Sequence, residues 1–394
     1  MDYNPSSPAV QQNPYPYYAY LRQHAPVYQI PDVGFWAVSR YQDVLSILKN
    51  PQVFSSAAHS PTMFGESNPF PPGAPAMIGT DPPDHTRLRK LVNRAFTPRR
   101  INALEHHMRA VARDLIEQAT ANEFDLMNDL ADPLPVSVIA GLLGVPPERH
   151  RDFKRWADDL VLATNGAAVT PEERTGIRQS IAEWHAHFQA AIAAYRLQPG
   201  DNLISDLVRA EEENQTLTGE EVLSMALLVL LGGADTTTHL IGNAIEALLN
   251  HPQQLAQVRE NLELVSQVVE ETLRYDAPVQ VISRQATQAV EVAGTAIPAG
   301  AMLYLVLGAA NRDERKFADP ERFDITRNTD GQIDFGFGIH FCLGAQVARL
   351  EAKAALEELL QRFPRLSRKD GQSARVESPI LRGFKTFPLT YNLQ

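Results

Sequence analysis

Phe335-Gly-Phe-Gly-Ile-His-Phe-Cys-Leu-Gly344 decides the fold of this 394-residue chain, because it places the single cysteine, Cys342, between glycines and aromatic residues. An amphipathic pattern predicts a helix over 344–363, directly after the cysteine. The N-terminus of a helix presents unpaired N–H groups and a positive dipole end, which together stabilise a thiolate. A lone cysteine is more commonly a buried and inert side chain, so a functional role for Cys342 depends on the residues around it.

Composition and charge narrow the class of protein. With 44% hydrophobic and 21% charged residues, the chain is typical of a globular protein with a sizeable core. A net charge of −11 argues against general nucleic-acid binding, which needs an excess of Lys and Arg. One cysteine closes no intramolecular disulfide, and the N-terminus lacks the pattern of a secretory signal, so we expect a cytoplasmic location. The longest apolar stretch, 225–234, is about half of what a bilayer-spanning helix requires, so we expect no membrane anchor.

Patterns along the chain predict a mainly α-helical single domain over 1–394, with small β-sheets. Residues 1–20, rich in Pro and Tyr without periodicity, predict an extended N-terminal arm. Alternation predicts a hairpin over 27–38, followed by a helix over 41–49. The Pro/Gly-rich segment 57–80 is either a functional loop or disordered. Helical patterns dominate 84–273, and strand patterns return at 290–297, at 302–307 and near the C-terminus.

A long, mostly apolar helix is predicted from a capping box at Thr218 and Glu221 to Asn250. Its centre contains Gly232-Gly233, then Asp235 and three threonines, which all oppose helix propensity. Hydroxyls of threonines 236 and 237 can reach carbonyls four residues back and bend the helix. Taken alone, this pattern is also consistent with a tolerated kink in a core helix whose Asp is structurally satisfied.

The cysteine stretch matches F-x-x-G-x-[HR]-x-C-x-G and resembles the haem-binding signature of the cytochrome P450 superfamily. Residues 232–236 resemble the central-helix motif [AG]-G-x-[DE]-T of that family, and further matches run from His85 to Arg382. The resemblance implies the triangular, α-rich haem-thiolate fold with small β-sheets. It also implies haem b (iron protoporphyrin IX) as cofactor, with Cys342 as the proximal ligand of the iron.

The resemblance implies further site residues. Asp235 and Thr236 would pass protons to iron-bound dioxygen. His85 and Arg89 lie one helical turn apart and can reach a single anion together, since side chains at i and i+4 share one face. The propionate ligands implied by the family are His85, Arg89, Arg284 and His340, because Arg binds carboxylates with two parallel hydrogen bonds. The other implied cofactor contacts are Ala234, Phe335, Gly336, Gly344 and Ala348.

Glu271 and Arg274 stand three residues apart, a spacing that on its own usually means a solvated surface pair. The pair resembles the E-x-x-R motif of the family, and Arg322 in Asp319-Pro-Glu-Arg-Phe323 matches its third member. The resemblance therefore implies a buried Glu271, Arg274 and Arg322 network that supports the cysteine loop.

The implied function is that of a soluble bacterial monooxygenase of secondary metabolism that uses O2 and receives electrons from ferredoxin and ferredoxin reductase. We expect a monomer, with no nucleic-acid or membrane partner. The expected reaction is hydroxylation or epoxidation of a small, mainly apolar molecule such as a fatty acid, terpenoid, steroid or polyketide. Candidate pocket residues are Phe64, Phe70, Leu231, Val281, Ile282 and Leu381.

Two other functions stay open at this point, a peroxygenase driven by hydrogen peroxide and a non-catalytic haem sensor or carrier. The acid and alcohol at Asp235 and Thr236 favour dioxygen activation over both. Residues 85–100 hold six Lys or Arg and no acid, which is either a solvated helix face or a surface that attracts an acidic ferredoxin.

Overall fold

The structure is a computed structural model of the chain, and it describes residues 2–31, 33–58, 69–71, 73–74, 76–118, 123–163, 170–212, 215–369 and 371–392. Its helices within those residues are α1 Pro8–Gln12, α2 Tyr15–His24, α3 Tyr41–Leu48, α4 Asp84–Ala95, α5 Pro98–Glu117, α6 Pro133–Leu143, α7 His150–Ala163, α8 Pro171–Leu197, α9 Leu203–Arg209, α10 Gly219–Asn250, α11 Pro252–Glu260, α12 Val265–Tyr275, α13 Leu307–Ala310 and α14 Ala345–Arg362. Its strands are β1 Val27–Gln29, β2 Trp36–Val38, β3 Phe54–Ser55, β4 Glu123–Asp125, β5 Glu211–Glu212, β6 Gln215–Thr216, β7 Val281–Ala286, β8 Val290–Val292, β9 Thr295–Ile297, β10 Met302–Val306, β11 Arg365–Arg368, β12 Ala374–Arg375, β13 Phe384–Thr386 and β14 Pro388–Asn392.

The chain divides into two compact units. Unit 1 comprises Met1–Ser55, Ala112–Ala131 and Thr236–Gln394, and unit 2 comprises Ser56–Val111 and Asp132–Asp235. The expectation of a single domain over 1–394 stays a prediction.

Unit 1 contains a five-stranded sheet in the order β1-β2-β10-β7-β3. The predicted hairpin is confirmed, because β1 pairs antiparallel with β2 from Val27 opposite Val38 to Gln29 opposite Trp36. The predicted helix after it is α3, whose Val44 and Ile47 are buried against the sheet together with Leu303. A second sheet, β11-β14-β4, closes the C-terminal end of the unit.

The expectation that residues 1–20 form an extended arm is wrong, because they form α1 and most of α2. The Ser7 hydroxyl caps α1 by accepting from the Val10 N–H at 3.4 Å, and Pro8 occupies the first helical position, where its missing N–H costs nothing. Tyr3 and Tyr18 are almost fully buried in a core cluster of unit 1. Burial of these large aromatic rings outweighs the weak helix propensity of a Pro-rich segment.

Unit 2 is mainly α-helical, as the sequence predicts for this part of the chain. Helices α7 and α8 pack through aromatic side chains, with ring centroids 5.6 Å apart for Phe153 and Trp184 and 6.3 Å apart for Trp156 and Trp184. A capping box begins α8, in which Thr170 and Glu173 exchange hydrogen bonds. Phe153, Trp156 and Trp184 are almost fully buried and form part of the core of this unit.

Helix α10 is continuous over 32 residues, a length of about 48 Å. The predicted capping box is confirmed, since the Glu221 N–H donates to the Thr218 hydroxyl at 3.1 Å and the Thr218 N–H donates to the Glu221 carboxylate at 2.8 Å. The helix is long and apolar enough to cross a membrane. However, 61% of its most apolar 18-residue stretch is buried within the protein, as in the core helix of a soluble protein. The predicted bend near its threonines stays a prediction.

Candidate active site

The cysteine loop of unit 1 is a tight backbone turn around Cys342. The Cys342 N–H donates to the Phe335 carbonyl at 3.0 Å, and the Phe341 N–H donates to the Gly338 carbonyl at 3.1 Å. Gly336 and Gly338 have φ angles of 72° and 74°, a region that residues with a side chain rarely adopt. The backbone of the loop therefore requires glycine at both positions.

The sulfur of Cys342 lies beside the start of α14. The N-cap is Gly344, which has no side-chain cap, and the Cys342 Sγ is 4.0 Å from the place where a Cβ on Gly344 would stand. The Ala348 N–H donates to the Gly344 carbonyl at 2.9 Å, which closes the first turn of the helix. The partly exposed thiol of Cys342 thus lies at the N-terminal end of α14, the position that the sequence predicts, and stabilisation of its thiolate by the helix dipole stays a prediction.

The loop residues fit an iron porphyrin. Phe337 and Phe341 are 41% and 43% exposed, and Phe335 and Leu343 are partly exposed, so the thiol lies among apolar side chains that protein atoms do not cover. Among the described residues, no three His, Cys, Asp or Glu side chains cluster to hold a metal ion. A single thiolate suits a metal that brings its other ligands with it, as haem iron does.

The predicted carboxylate-binding residues fall on ordered elements of the two units. In unit 1, Arg284 is 8% exposed on β7, where its Nη1 donates to the Ser283 carbonyl at 2.7 Å, and His340 ends a 3₁₀ turn of the cysteine loop. In unit 2, the buried His85 and the partly exposed Arg89 lie one turn apart on α4, as predicted. Their binding of propionates stays a prediction.

The Glu271 and Arg274 pair is buried, with side chains 1% and 0% exposed. The Arg274 guanidinium donates to both carboxylate oxygens at 2.8 Å, and its remaining N–H groups reach carbonyl oxygens of Asn311, Pro320 and Arg322. Every donor of this arginine therefore points at an acceptor, which is what makes a buried ion pair tolerable.

The assignment of Arg322 as the third member of this network is wrong. Its side chain is 64% exposed and pairs with Asp324, and it reaches the network through its carbonyl oxygen alone. Arg327 takes its place, because the Arg327 Nε donates to Glu271 at 3.2 Å and the side chain is 11% exposed. A turn follows Phe323, in which the Arg327 N–H donates to the Asp324 carbonyl at 3.0 Å, and the side chain of Arg327, five residues after Arg322, reaches Glu271.

Asp235 in unit 2 has a raised pKa of about 6. Burial is the main cause, Asp132 and Asp158 add to it, and Lys154 partly offsets it. The Lys154 ammonium lies 2.9 Å from Asp132 and also pairs with Asp158, so this cation is shared between two acids and offsets only part of the rise in the pKa of Asp235. A carboxyl with this pKa exchanges a proton readily near neutral pH. The sequence alone did not identify the three neighbours, because they come from other helices.

Neighbouring residues of α10 have different environments. Ala234, in unit 2, is 4% exposed. Thr236, where unit 1 resumes, is partly exposed. The Thr238 hydroxyl donates to the Ala131 carbonyl at 2.8 Å and holds this part of α10 within unit 1.

The candidate pocket residues do not all suit that role. Val281 is 3% exposed in the core cluster that contains Tyr3 and Tyr18, which assigns it to packing. Leu231, Ile282 and Leu381 are partly exposed apolar side chains and stay candidates. Phe70 is 6% exposed in unit 2, and Phe64 lies outside the described residues.

The basic run 85–100 is less positive than its composition suggests. Arg87 pairs with Glu221, and Arg100 pairs with Asp206 at 2.6 Å and Asp201 at 3.1 Å, all within unit 2. Arg99 is exposed at the surface of the unit. At least two of the six cations, Arg87 and Arg100, are therefore compensated by acids from α9, α10 and the segment before α9.

Three charged residues near the cysteine loop were not identified from the sequence: Glu270, Asp334 and Arg349. Glu270 and Arg349 form an ion pair between α12 and α14, and Asp334 directly precedes Phe335. Of these three, only Asp334 could have been singled out from the sequence, because a carboxyl is unusual directly beside an apolar loop.

Known proteins resemble this chain over nearly its whole length. The family model for cytochrome P450 matches residues 177–390. A vitamin D(3) 25-hydroxylase from Pseudonocardia autotrophica is 41% identical over 96% of this chain and 94% of its own length. The erythromycin C-12 hydroxylase of Saccharopolyspora erythraea is 40% identical over 94% and 92%. The solved structure of cytochrome P450 CYP109Q5 from Chondromyces apiculatus has a TM-score of 0.90 at 40% identity and covers 100% of this chain and 99% of that one.

These matches confirm the predicted α-rich fold with small sheets, and the relatives are monooxygenases that bind haem b. The chain belongs to the cytochrome P450 family.

Proposed function

We propose that this chain inserts one oxygen atom of dioxygen into a mainly apolar organic molecule, with electrons from a ferredoxin and its reductase. The observation that carries the proposal is the Cys342 sulfur beside the uncapped start of α14. That position favours a thiolate, and thiolate ligation of haem iron favours cleavage of the O–O bond. In this proposal the protein is a bacterial, cytoplasmic monomer of secondary metabolism that has no nucleic-acid or membrane partner.

Residues of unit 1 would hold the cofactor. Cys342 would bind the iron, Arg284 and His340 would bind its carboxylates, and the glycine-rich backbone at Gly336 and Gly344 would allow a flat ligand to approach. When bound, the haem supplies the activation of dioxygen. Phe335 and Ala348 would add apolar contact. The same role for His85, Arg89 and Ala234 of unit 2 stays a prediction.

Asp235 and Thr236 would deliver protons during oxygen activation. The raised pKa of Asp235, about 6, leaves a fraction of this carboxyl protonated at neutral pH and lets it reload from solvent. Three charged side chains influence the pKa of Asp235, and each of them is at least one third exposed: Asp132, Lys154 and Asp158. They therefore offer a route by which protons reach the helix from water.

The substrate class follows from the relatives and from the candidate pocket residues. The relatives named above are hydroxylases of vitamin D(3) and of erythromycin, a secosteroid and a macrolide. Ile282 and Leu381 of unit 1 are apolar and partly exposed, so they suit a large apolar ring system better than a small polar metabolite. A pocket role for Leu231 of unit 2 stays a prediction. We therefore place steroid-like and macrolide-like molecules ahead of fatty acids and terpenoids as substrates.

The test is a binding and turnover screen with the haem-loaded protein. Steroids, macrolides, terpenoids and fatty acids are added, and a shift of the Soret band reports displacement of iron-bound water. Binders are then incubated with ferredoxin, ferredoxin reductase, NADPH and isotopically labelled dioxygen. We expect a steroid or macrolide product that carries one labelled oxygen atom.

Two controls separate this proposal from its alternatives. Hydrogen peroxide without ferredoxin should give far less product, and equal product would instead identify a peroxygenase. Cys342→Ser should abolish the red-shifted Soret band of the reduced carbon monoxide complex. If that band persists, another residue binds the iron and the proposal fails.

A further inference from the structure

Asp334, the residue before the cysteine loop, is a buried carboxyl in unit 1. Its side chain is 8% exposed, and neither carboxylate oxygen accepts a hydrogen bond from another residue that the structure describes. A buried carboxyl without donors is costly in its ionised form, so such a group calls for an explanation. The mechanism proposed above does not use it.

Two charged side chains face Asp334. Arg349 of α14 donates to both carboxylate oxygens of Glu270 on α12, with 3.1 Å between Nη2 and Oε2. Gln332 strengthens this pair by donating to the same Oε2 at 2.7 Å. Burial raises the pKa of Asp334 to about 7, while Arg349 lowers it and Glu270 raises it further. The pKa of Asp334 therefore lies near neutral pH, so a change in nearby charge can alter its protonation.

Arg349 also contacts the cysteine loop. Its guanidinium carbon is 4.5 Å from the ring centroid of Phe335, whose carbonyl oxygen accepts the hydrogen bond from the Cys342 N–H. Burial alone would lower the pKa of Arg349, but Glu270, Asp334 and Cys342 together raise it. Arg349 thus experiences the charge of the sulfur and the charge of Asp334 at the same time.

We propose that Asp334 takes up a proton when the iron bound at Cys342 is reduced, with Arg349 as the positioning residue between the two charges. This inference rests on the proposed ligation of iron by Cys342. One electron enters from the ferredoxin, and one proton from solvent forms an O–H bond on Asp334; no other bond changes. The added negative charge at the sulfur and iron favours the neutral form of the nearby carboxyl, since like charges oppose each other.

The coupling is reciprocal, so protonated Asp334 must also favour reduction. The reduction potential should therefore be higher below the titration range of Asp334 and should fall as the pH rises through that range. The partial exposure of the Arg349 and Glu270 pair, about one third for each side chain, limits the size of the effect. We expect the redox equilibrium to change by about threefold to tenfold, ~30–59 mV for one electron.

The test is a spectroelectrochemical titration of the haem-loaded protein on both sides of pH 7. The reduction potential of the wild type should fall as the pH rises. That of Asp334→Asn should stay constant, close to the value that the wild type reaches at low pH. Glu351→Gln is the matched control, because Glu351 on α14 is also buried, with an unpartnered Oε1 and a pKa raised to about 8 by burial, but has no charged neighbour that shifts it. A reduction potential of the wild type that does not depend on pH would overturn the inference. The inference would also fail if the pH dependence of the potential were lost in Glu351→Gln and kept in Asp334→Asn.

A second measurement needs no variant. The infrared difference spectrum between oxidised and reduced wild type should show a carboxylic-acid band that grows on reduction and shifts in D2O. Its absence would contradict proton uptake by a carboxyl even if Asp334→Asn failed to assemble with haem. A failure of the proposed function is distinguishable, because it would appear as a normal carbon monoxide spectrum in Cys342→Ser.

Discussion

The Cys342 N–H and the Phe335 carbonyl oxygen lie 3.0 Å apart, and this hydrogen bond closes the cysteine loop on itself. The shape of the loop therefore depends on its own backbone hydrogen bonds, and two of its aromatic rings, Phe337 and Phe341, are partly exposed. Because glycines at positive φ make the turn possible, their substitution tests how strictly the loop positions the sulfur.

Replacing Gly338 by Ala should destabilise the protein and weaken retention of haem. A Cβ there would stand 2.9 Å from the Leu48 carbonyl oxygen, in addition to the strain of a φ of 74°. The strain is worth about 1–2 kcal/mol and the close contact adds about 1–3 kcal/mol. The matched control is Gly34→Ala, with the same φ of 74° and nothing within 4 Å of its Cβ. Denaturant unfolding should show the larger loss for Gly338→Ala, and equal losses would mean that the contact with Leu48 is unimportant.

The corrected arginine network predicts a graded series. Arg274→Ala leaves Glu271 buried and without its main partner, which should cost about 3–5 kcal/mol of unfolding free energy. Arg327→Ala removes one contact to Glu271 and should cost less than that but more than Arg322→Ala, for which we expect a change within about 0.5 kcal/mol. Thermal unfolding of the three variants measures the order. A larger loss for Arg322→Ala than for Arg327→Ala would restore the assignment made from the sequence.

Much of the fold is visible in the sequence, because it depends on local signals. The capping box at Thr218 and Glu221 and the hairpin of β1 and β2 are each set by a few neighbouring residues, and both were found. The helices α1 and α2 were missed although Ser7 and Pro8 form a usual helix start. Their stability comes from the burial of Tyr3 and Tyr18, which the local sequence does not show.

The chemistry of the site was predictable as far as a motif specifies it. The motif predicts the position of Cys342 at the start of a helix, and the structure agrees. It does not predict Arg327, because a turn between Asp324 and Arg327 places the later arginine beside Glu271, while Arg322, which the motif marks, is exposed. Nor does it predict that Lys154 faces Asp235, since such electrostatic contacts depend on the packing of helices far apart in the sequence.

The buried ion pair of Asp276 and Arg382 predicts a pH-dependent stability. Burial alone would raise the pKa of Asp276, but Arg382 at 2.7 Å and Arg375 hold it below its usual value. A depressed folded-state pKa stabilises the protein above the unfolded-state pKa, and this contribution is lost as the pH falls through the folded-state value. Arg382→Ala should therefore cost about 3–5 kcal/mol near neutral pH and less in acid.

The double variant Asp276→Asn with Arg382→Ala is the control for that pair. It removes both charges and should recover part of the loss, because no unpaired buried carboxylate remains. Urea unfolding at several pH values measures both effects. A double variant as unstable as Arg382→Ala would mean that Arg382 acts mainly through its hydrogen bonds to the carbonyl oxygens of Gln11 and Gln12.

Asp235 predicts the pH dependence of turnover. If its protonated form donates to the oxygen, kcat should fall as the pH rises through its pKa of about 6, which gives the profile of kcat against pH a falling limb. Asp235→Asn should lower kcat by about 100-fold while substrate binding stays unchanged. Lys154→Gln removes the cation that lowers the pKa of Asp235, so the falling limb should move to higher pH. Asp132→Asn removes an acid that raises this pKa, so the limb should move to lower pH.

These opposite shifts distinguish proton delivery from a structural role, because a merely packed carboxyl would lower the rate without moving the limb. Glu183→Gln is the matched control, since Glu183 is also an acid of unit 2 but is bound by Arg155 and Trp156 and does not shift the pKa of Asp235. The measurement is kcat against pH at saturating substrate, with ferredoxin in excess so that electron supply does not limit the rate. If Lys154→Gln and Asp132→Asn move the limb in the same direction, or Glu183→Gln moves it as far, then Asp235 is not the group that titrates. In that case the proton enters by a route that these residues do not control.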